Sequence, residues 1–159
     1  MPYKVEIHVK TQTLLLYDGH ILRQTYPIST ALKGVGCEKG SEKTPLGHHI
    51  IRAKIGHHLP KGAVLLGRRP TGELYSEALA AQYPNRDWIL SRILWLSGLE
   101  KGLNRLGSVD TMQRYIYIHG VPDTLPMGVP LSHGCIRMHN ESIIELFESV
   151  PVGTTVIIK

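Results

Sequence analysis

Hydrophobic and polar residues alternate along much of this chain, as they do in β-strands with one buried and one solvated face. At 4–10, for example, three valine or isoleucine residues alternate with charged and histidine residues. Asp18-Gly19 separates two apolar segments and favours a tight hairpin turn. The predicted strands are 4–10, 13–17, 21–28, 47–54, 63–67, 88–96, 114–119 and 155–158. The pattern therefore predicts a mainly β fold.

Helical patterning is limited to two segments. Asn140 is a favourable N-cap, and the apolar residues after it recur on one helical face. The alanine-rich segment 73–83 lies between a glycine and a proline and predicts a second, short helix. It belongs to a longer stretch, 71–87, which is either a gate over a cleft or a surface insertion. Glycine, proline and charged residues predict loops at 33–45, 100–110 and 121–132.

Length and composition predict one folded domain that spans 1–159. The chain has 159 residues and a mass of 17.7 kDa, a size at which one core can form. Hydrophobic residues make up 42% and charged residues 19%, which excludes a disordered chain. No apolar run approaches the length of a membrane span, and we find no internal repeat or interdomain linker.

The net charge is +5, and the basic residues are dispersed. A basic surface suits an anionic partner such as nucleic acid, lipid headgroups or a cell-wall polymer. Because no run of lysine and arginine is interleaved with aromatic residues, we expect no nucleic-acid partner. The first residues lead directly into the strand at 4–10 and lack the apolar segment of a signal peptide, so the sequence leaves the compartment open.

The residue types of cysteine catalysis are concentrated in His119-Gly120 and in 132–138. A thiolate is the nucleophile in such sites, and a nearby imidazole can take its proton. Another group must orient the imidazole, and small residues let backbone N–H groups reach a developing oxyanion. His119 and Cys135 lie at the two ends of a proline-rich loop, a spacing that permits contact. We therefore expect His119 to lower the pKa of Cys135.

Other interpretations of these residues stay open. Taken singly, each cysteine or histidine would be structural, since cysteine is often buried as a small hydrophobe. The pairs His48-His49 and His57-His58 could supply zinc ligands, although adjacent histidines on a strand point to opposite faces. Cys37 could pair with Cys135 and block it, or it could be a free loop thiol.

The string Ser132-His133-Gly134-Cys135-Ile136-Arg137-Met138, with His119-Gly120 upstream, resembles the signature of the L,D-transpeptidase catalytic domain, the YkuD-type family. Ile28-Ser29-Thr30, followed by a glycine-rich loop and Thr44-Pro45-Leu46-Gly47, is similar to another stretch of that family. The C-terminal segment 140–156 is similar as well. The resemblance therefore covers most of the chain.

The resemblance implies a mixed-sheet β-sandwich or barrel-like domain with one to three short helices, acting on peptidoglycan stem peptides. Matched position by position, it implies that Cys135 is the nucleophile, which attacks the bond between an L-centred diamino acid and D-alanine. It implies that His119 is the base that activates the thiol and later protonates the leaving D-alanine, with the Gly120 carbonyl orienting the imidazole. The backbone N–H groups of Gly134 and Cys135 would form the oxyanion hole.

The resemblance also implies substrate-binding roles. Ser132 and His133 would shape the pocket, and Arg137 would anchor the catalytic loop or meet a substrate carboxylate. The thioester would pass to an amine of a stem peptide or a protein, or to water, which would make the enzyme an L,D-carboxypeptidase. A non-catalytic wall-binding module is a further alternative. The resemblance implies no metal or cofactor, a monomer, and a role in cell-wall organisation and cell shape within the envelope.

Overall fold

Ten β-strands pair into one curled, mixed sheet within residues 2–159, the part of the chain that the computed structural model describes. The strands are β1 (Tyr3–His8), β2 (Thr13–Asp18), β3 (Ile21–Pro27), β4 (Gly47–Ile55), β5 (Ala63–Leu66), β6 (Arg69–Leu74), β7 (Ile89–Gly98), β8 (Tyr117–Val121), β9 (Ile136–His139) and β10 (Thr155–Ile158). The helices are α1 (Glu77–Gln82) and α2 (Asn140–Ser149), and Gly107–Val109 forms a 3-10 turn. The mainly β fold with one to three short helices is confirmed. Neither α-helix in this part of the chain is long and apolar enough to cross a membrane.

The sheet forks at β7. Across the sheet the order is β3, β2, β1, β10, β4 and β7. Leu90 of β7 pairs with Val64 of β5 on one edge and with Gly120 of β8 on the other. β8 then pairs with β9 in parallel, and β1 pairs with β10 in parallel, which makes the sheet mixed. β8 and β9 therefore form a branch of the sheet. One cluster of side chains packs on one face of this branch, and a different cluster packs on the other.

Strand parity separates the two faces of this branch. Ile118 of β8 and Ile136 of β9 belong to the main core, which also contains the apolar face of α2. Tyr117 of β8 and Ile93 of β7 pack in a second cluster, and Cys135 packs against that cluster. Because successive side chains of a strand point to opposite faces, Cys135 lies across the sheet from α2.

The outer edge of β9 is closed by the chain that follows β3. The Ser29 N–H donates to the Arg137 carbonyl oxygen at 3.0 Å, and the Arg137 N–H donates to the Ser29 carbonyl oxygen at 2.8 Å. The Ser132 N–H donates to the Thr30 carbonyl oxygen at 2.9 Å. These bonds hold the turn that carries Cys135 from the side opposite to β8.

The helix predicted at 73–83 is shorter and begins later than expected. Residues up to Leu74 pair with β5 as strand β6, which the pattern does not predict. α1 begins after Ser76, whose Oγ accepts a hydrogen bond from the Leu79 N–H at 3.0 Å. The strand pairing and the serine cap together move the helix start. Gating by the segment 71–87 stays a prediction.

Asn140 does not cap α2, in contrast to the prediction. Its buried side chain accepts a hydrogen bond from the Ser91 hydroxyl at 2.6 Å and donates to the Val121 carbonyl oxygen at 3.0 Å. The Asp123 carboxylate performs the capping instead, since it accepts from the Asn140 N–H at 3.0 Å. The amide of Asn140 therefore joins α2 to β7 and β8.

The strands that frame Cys135 also differ from the prediction. β8 begins at Tyr117, not at Arg114, because Tyr115 has a φ of +57°, a left-handed conformation that interrupts a strand. β9 is absent from the predicted strands. It has four residues and directly follows Cys135, which is too short for alternation to be recognised.

Candidate active site

The parallel pair β8 and β9 brings the reactive residues onto one face of the sheet. In its register His119 pairs with Arg137. The preceding residues, Ile118 and Ile136, also pair, and both face the core. Since side chains alternate along a strand, His119, Arg137 and Cys135 lie on the opposite face. The proline-rich loop between β8 and β9 thus brings Cys135 back beside β8, the strand that carries His119.

The Cys135 thiol is held between two backbone groups. Its S–H donates to the Tyr115 carbonyl oxygen at 3.3 Å, and its Sγ accepts from the Tyr117 N–H at 3.3 Å. The residue is half-buried. The protonated thiol satisfies both contacts, whereas a thiolate would be favoured only by the Tyr117 N–H.

Burial raises the pKa of the Cys135 thiol to about 12, against the opposing hydrogen bond from the Tyr117 N–H. The charge of Asp87 raises this pKa further, and nearby arginines lower it. The expectation that His119 lowers the pKa of Cys135 is therefore wrong. The raised pKa of Cys135 and the lowered pKa of His119 both favour a neutral thiol and a neutral imidazole over an ion pair.

The His119 imidazole is buried, with 1% of its surface exposed. Burial lowers its pKa, although the hydrogen bond with Gly120 acts in the other direction. Nδ1–H donates to the Gly120 carbonyl oxygen at 2.8 Å, which defines the tautomer because a carbonyl can only accept. Nε2 then carries the lone pair, and no group within 2–159 hydrogen-bonds to it. A neutral imidazole of this kind can take a proton.

Gly120 occupies a position that has no room for a side chain. A Cβ there would lie 2.5 Å from the Leu90 carbonyl oxygen and 2.8 Å from the Asn140 side-chain oxygen. The close approach accompanies a bulge in β7, where Ser91 has a φ of +71° and the register with β8 shifts. The glycine lets β8 lie against β7 while its carbonyl reaches His119.

Ser132 builds the turn that presents Cys135. Its hydroxyl donates to the Cys135 carbonyl oxygen at 2.6 Å and accepts from the Gly134 N–H at 3.2 Å. Ser132 is 2% exposed, and its hydroxyl is engaged within the turn itself. Its role in shaping a pocket stays a prediction. The Gly134 N–H donates to this hydroxyl, whereas the Cys135 N–H has no hydrogen-bond partner in the described chain. The oxyanion hole expected from these two N–H groups stays a prediction.

Thr44 holds the same turn from the far side. Its hydroxyl donates to the Gly134 carbonyl oxygen at 2.9 Å and accepts from the Ala31 N–H at 2.9 Å. Gly134 has a φ of +134°, and a Cβ there would lie 3.2 Å from the Ile116 Cδ1. The segments around Thr30 and Thr44 that carry the family resemblance thus support the turn.

Arg137 is engaged by its own chain. One Nη2–H donates to Asp87 Oδ1 at 3.1 Å, and Nη1–H donates to the Leu131 carbonyl oxygen at 3.4 Å. The Arg137 side chain is 11% exposed, and that of Asp87 is 52% exposed. These contacts tie Arg137 to the loop before Cys135 and to Asp87, which a carboxylate ligand would have to displace. Both predicted roles of Arg137 stay predictions.

An open cavity of about 330 Å³ lies beside the turn. Its lining includes Tyr115, Arg114, Glu42 and His133. His133 exposes 65% of its side chain, and its Nδ1 lies 3.9 Å from Asp87 Oδ2. Of the two predicted pocket residues, His133 is therefore the one that a ligand can reach.

Three residues that shape the site are absent from the sequence prediction. Tyr117 precedes His119 by two positions, so strand parity could have placed it on the same face. The role of Tyr115 depends on its left-handed backbone, which the sequence does not reveal. Asp87 approaches from the segment after α1 and gives no local signal.

The remaining candidate ligands do not converge on a metal site. No group of three or more histidine, cysteine, aspartate or glutamate residues within the described chain is arranged to hold a metal ion. His49 is buried, and His48 lies at the surface beside Glu100. Cys37 and Cys135 are both free thiols.

A family model described as the L,D-transpeptidase catalytic domain, YkuD, matches residues 2–158. The chain is 51% identical over 159 residues to a Bacillus subtilis protein named as an L,D-transpeptidase, YkuD, with 99% of this chain and 66% of that protein covered. It is 27% identical over 156 residues to a Bacillus licheniformis protein of the same name, covering 98% and 65%. This chain thus spans about two-thirds of the length of these two relatives.

Solved structures share the curled mixed sheet. L,D-transpeptidase 3 from Mycobacterium tuberculosis, in complex with a faropenem-derived adduct, aligns with a TM-score of 0.61 at 14% identity, over 99% of this chain and 60% of that one. An L,D-transpeptidase from Enterococcus faecium aligns with a TM-score of 0.60 at 17% identity, over 100% and 50%. At these identities the likeness concerns the fold alone.

Proposed function

This chain belongs to the L,D-transpeptidase catalytic-domain family, and we propose that it transfers peptidoglycan stem peptides through a thioester on Cys135. One arrangement carries the proposal: Cys135 and the buried, oriented imidazole of His119 share one face of β8 and β9. A thiol, a base and an unoccupied backbone N–H beside it are what acyl transfer through a covalent intermediate requires.

The first step couples proton transfer to attack. His119 Nε2 takes the thiol proton as Sγ attacks the carbonyl carbon between the diamino acid and D-alanine. Concerted transfer avoids a free thiolate, which burial disfavours at Cys135. The carbonyl oxygen becomes an oxyanion, which the Cys135 N–H stabilises. The Tyr117 N–H stabilises negative charge on the sulfur until the new bond forms.

The second step releases D-alanine. The imidazolium of His119 donates its proton to the amide nitrogen, the C–N bond breaks, and the thioester remains on Cys135. An acceptor amine then attacks the thioester carbon and gives its proton to His119 Nε2, from which the departing sulfur regains it. We propose an amine of a neighbouring stem peptide as acceptor, which makes the product a cross-link. Water as acceptor would make the product a tripeptide.

We place this reaction in the cell envelope, where peptidoglycan is built, and propose that 1–159 acts as one monomeric catalytic unit. The envelope follows from the proposed substrate. The net charge of +5 favours encounter with an anionic wall polymer. Each of these points is a proposal about the whole protein, because the relatives extend beyond the matched region.

Incubation with a disaccharide-tetrapeptide, followed by mass spectrometry, tests the function. We expect free D-alanine and a cross-linked dimer from the wild type and neither product from Cys135→Ala. Cys37→Ser is the matched control, because it removes the other free thiol and should retain both products. Tripeptide without dimer would replace the transferase with a carboxypeptidase. Release of D-alanine by Cys135→Ala would overturn the role of the cysteine.

A further inference from the structure

A strained turn carries Arg68 at the tip of the β5–β6 hairpin. The turn consists of Gly67 and Arg68 and lies between two paired residues. Both turn residues have positive φ, +56° for Gly67 and +64° for Arg68. Glycine and asparagine suit such left-handed positions, whereas an arginine there is strained. Strain of this kind persists where the surroundings hold it, often at functional sites.

Three aromatic residues hold the Arg68 guanidinium. Nη1–H donates to the Tyr117 hydroxyl at 3.0 Å. The guanidinium carbon lies 4.5 Å from the centre of the Trp95 ring and 5.0 Å from that of the Tyr115 ring. Contact with ring faces restrains the plane of the guanidinium and leaves its hydrogen-bonding edges available.

Two of these aromatic residues also hold the nucleophile. The Tyr115 carbonyl and the Tyr117 N–H each bind the Cys135 Sγ at 3.3 Å. Tyr117 therefore contacts both the guanidinium of Arg68 and the sulfur of Cys135. Because Tyr117 is buried in β8, the positive charge is tied to a rigid part of the site.

Arg68 has no acidic partner in the part of the chain that the structure describes, where no carboxylate oxygen lies within 4.0 Å of its nitrogens. Arg137, by contrast, is paired with Asp87, and Arg114 donates to the Lys43 carbonyl. The Nε and Nη2 donors of Arg68 form no hydrogen bond to any described group. That edge matches the two oxygens of a carboxylate in a bidentate pair.

We propose that Arg68 determines specificity by binding a carboxylate of the peptide substrate beside Cys135. The inference rests on the proposed function and adds the chemical group that the site recognises. Two substrate carboxylates lie close to the bond that is broken. One belongs to the leaving D-alanine, and the other is a second carboxylate on the diamino acid, where that residue carries one. Arg68 pairs with either by the same chemistry.

Binding to the Cys135→Ala protein tests the inference without turnover. Calorimetry would compare three tetrapeptides: one with both carboxylates, one with a C-terminal amide, and one with lysine as the diamino acid. We expect Arg68→Gln to weaken binding of the first peptide at least about tenfold, which is the scale of one charge-assisted pair. The peptide that lacks the recognised carboxylate should bind equally to the Cys135→Ala protein with Arg68 and to the one with Arg68→Gln. Which of the two modified peptides behaves in this way shows which carboxylate Arg68 binds. Arg69→Gln, the exposed neighbour on β6, is the matched control and should bind all three as before.

Two further observations keep the test decisive. Arg68→Lys keeps the charge and loses the planar fork, so it should bind the first peptide with intermediate affinity and leave the insensitive peptide unchanged. An equal loss for all three peptides in both variants, or no loss in either, would overturn the inference.

The outcome for Arg68 is separable from the outcome for the proposed function. Selective loss of binding in Arg68→Gln, without D-alanine release by the wild type, would overturn the function and keep the inference. Product formation by the wild type, without selective loss of binding in Arg68→Gln, would keep the proposed function and overturn the inference. Failure of the Cys135→Ala protein to bind any of the three peptides would overturn both.

Discussion

The carbonyl oxygen of Tyr115 accepts a hydrogen bond from the thiol of Cys135 at 3.3 Å. Tyr115 has a φ of +57°, which interrupts the strand just before β8 and leaves this carbonyl to the sulfur. An ionised sulfur would lie against the lone pairs of the same oxygen. In the proposed mechanism, this contact therefore keeps the thiol of Cys135 protonated until His119 accepts its proton.

Alkylation of Cys135 should remain slow at neutral pH and rise about tenfold per pH unit from pH 7 to pH 9, because only the thiolate reacts. The pKa of about 12 places the whole of this range below the midpoint of ionisation. Iodoacetamide kinetics on the Cys37→Ser protein, in which Cys135 is the only thiol, would measure the rate. The urea-unfolded protein is the control, and its rate should level off above about pH 8.5. A plateau below pH 8 in the native protein would restore the ion pair with His119.

Asp87→Asn should lower the pKa of Cys135 and speed its alkylation severalfold at pH 8. The change removes a negative charge that raises the pKa of the thiol, and it releases Arg137 from its ion pair. Glu77→Gln removes the same charge from the exposed surface of α1 and should leave the rate unchanged. An unchanged or slower rate in Asp87→Asn would show that this carboxylate does not influence the sulfur.

Gly134→Ala should reduce acyl transfer by about 100-fold, since small displacements of a nucleophile have effects of this size. The new Cβ would lie 3.2 Å from Ile116 Cδ1 and 3.4 Å from the Lys43 carbonyl oxygen, and it would push the turn away from β8. Gly128→Ala is the matched control, because Gly128 has a φ of +86° and open space around it. The positive φ should destabilise both variants by about 1–3 kcal/mol in thermal unfolding. Equal activity of the two variants would contradict the packing argument.

Glu6→Gln should lower the free energy of unfolding at pH 7 by about 1 kcal/mol and make it less dependent on acid. Burial would raise the pKa of Glu6, but hydrogen bonds from His8, Lys4 and Lys159 outweigh it and lower the pKa to about 2. A lowered carboxylate pKa contributes stability above its ordinary value of 4.5, and this contribution disappears as the pH falls towards 2.

Urea unfolding between pH 7 and pH 2 would measure this effect. The wild type and Glu6→Gln should differ at neutral pH and converge at the acid end. Glu77→Gln serves as the control, because no cation of the described chain pairs with Glu77. A constant difference across the whole range would exclude titration of Glu6 as the cause.

The face shared by His119 and Tyr117 could be predicted from the sequence, because parity along a strand is a local property. The order of the turn residues, with Gly134 before Cys135, also indicated a close approach of the backbone. The hydrogen bonds of Ser132 could not be predicted, since a hydroxyl in a loop can face a ligand or its own turn. Only the structure shows that it occupies the Gly134 N–H.

The protonation state of Cys135 could not be predicted for a different reason. Burial raises its pKa, and Cys135 packs against a cluster that includes Leu65 of β5 and Ile93 of β7, both far away in the sequence. The approach of Asp87 depends on how α1 packs, through contacts such as that of Leu79 with the cluster around Trp88. The burial of Cys135 and the position of the Asp87 charge depend on tertiary structure, and no local sequence pattern predicts them.

β10 lies in the middle of the sheet although it is the last strand along the chain. Thr155 pairs with Lys4 of β1 on one side and with Ile50 of β4 on the other. The ribosome makes these residues after all the other strands described here, so the two halves of the sheet present open edges until then. The nascent chain is thus most vulnerable to aggregation immediately before the residues that join its two halves emerge.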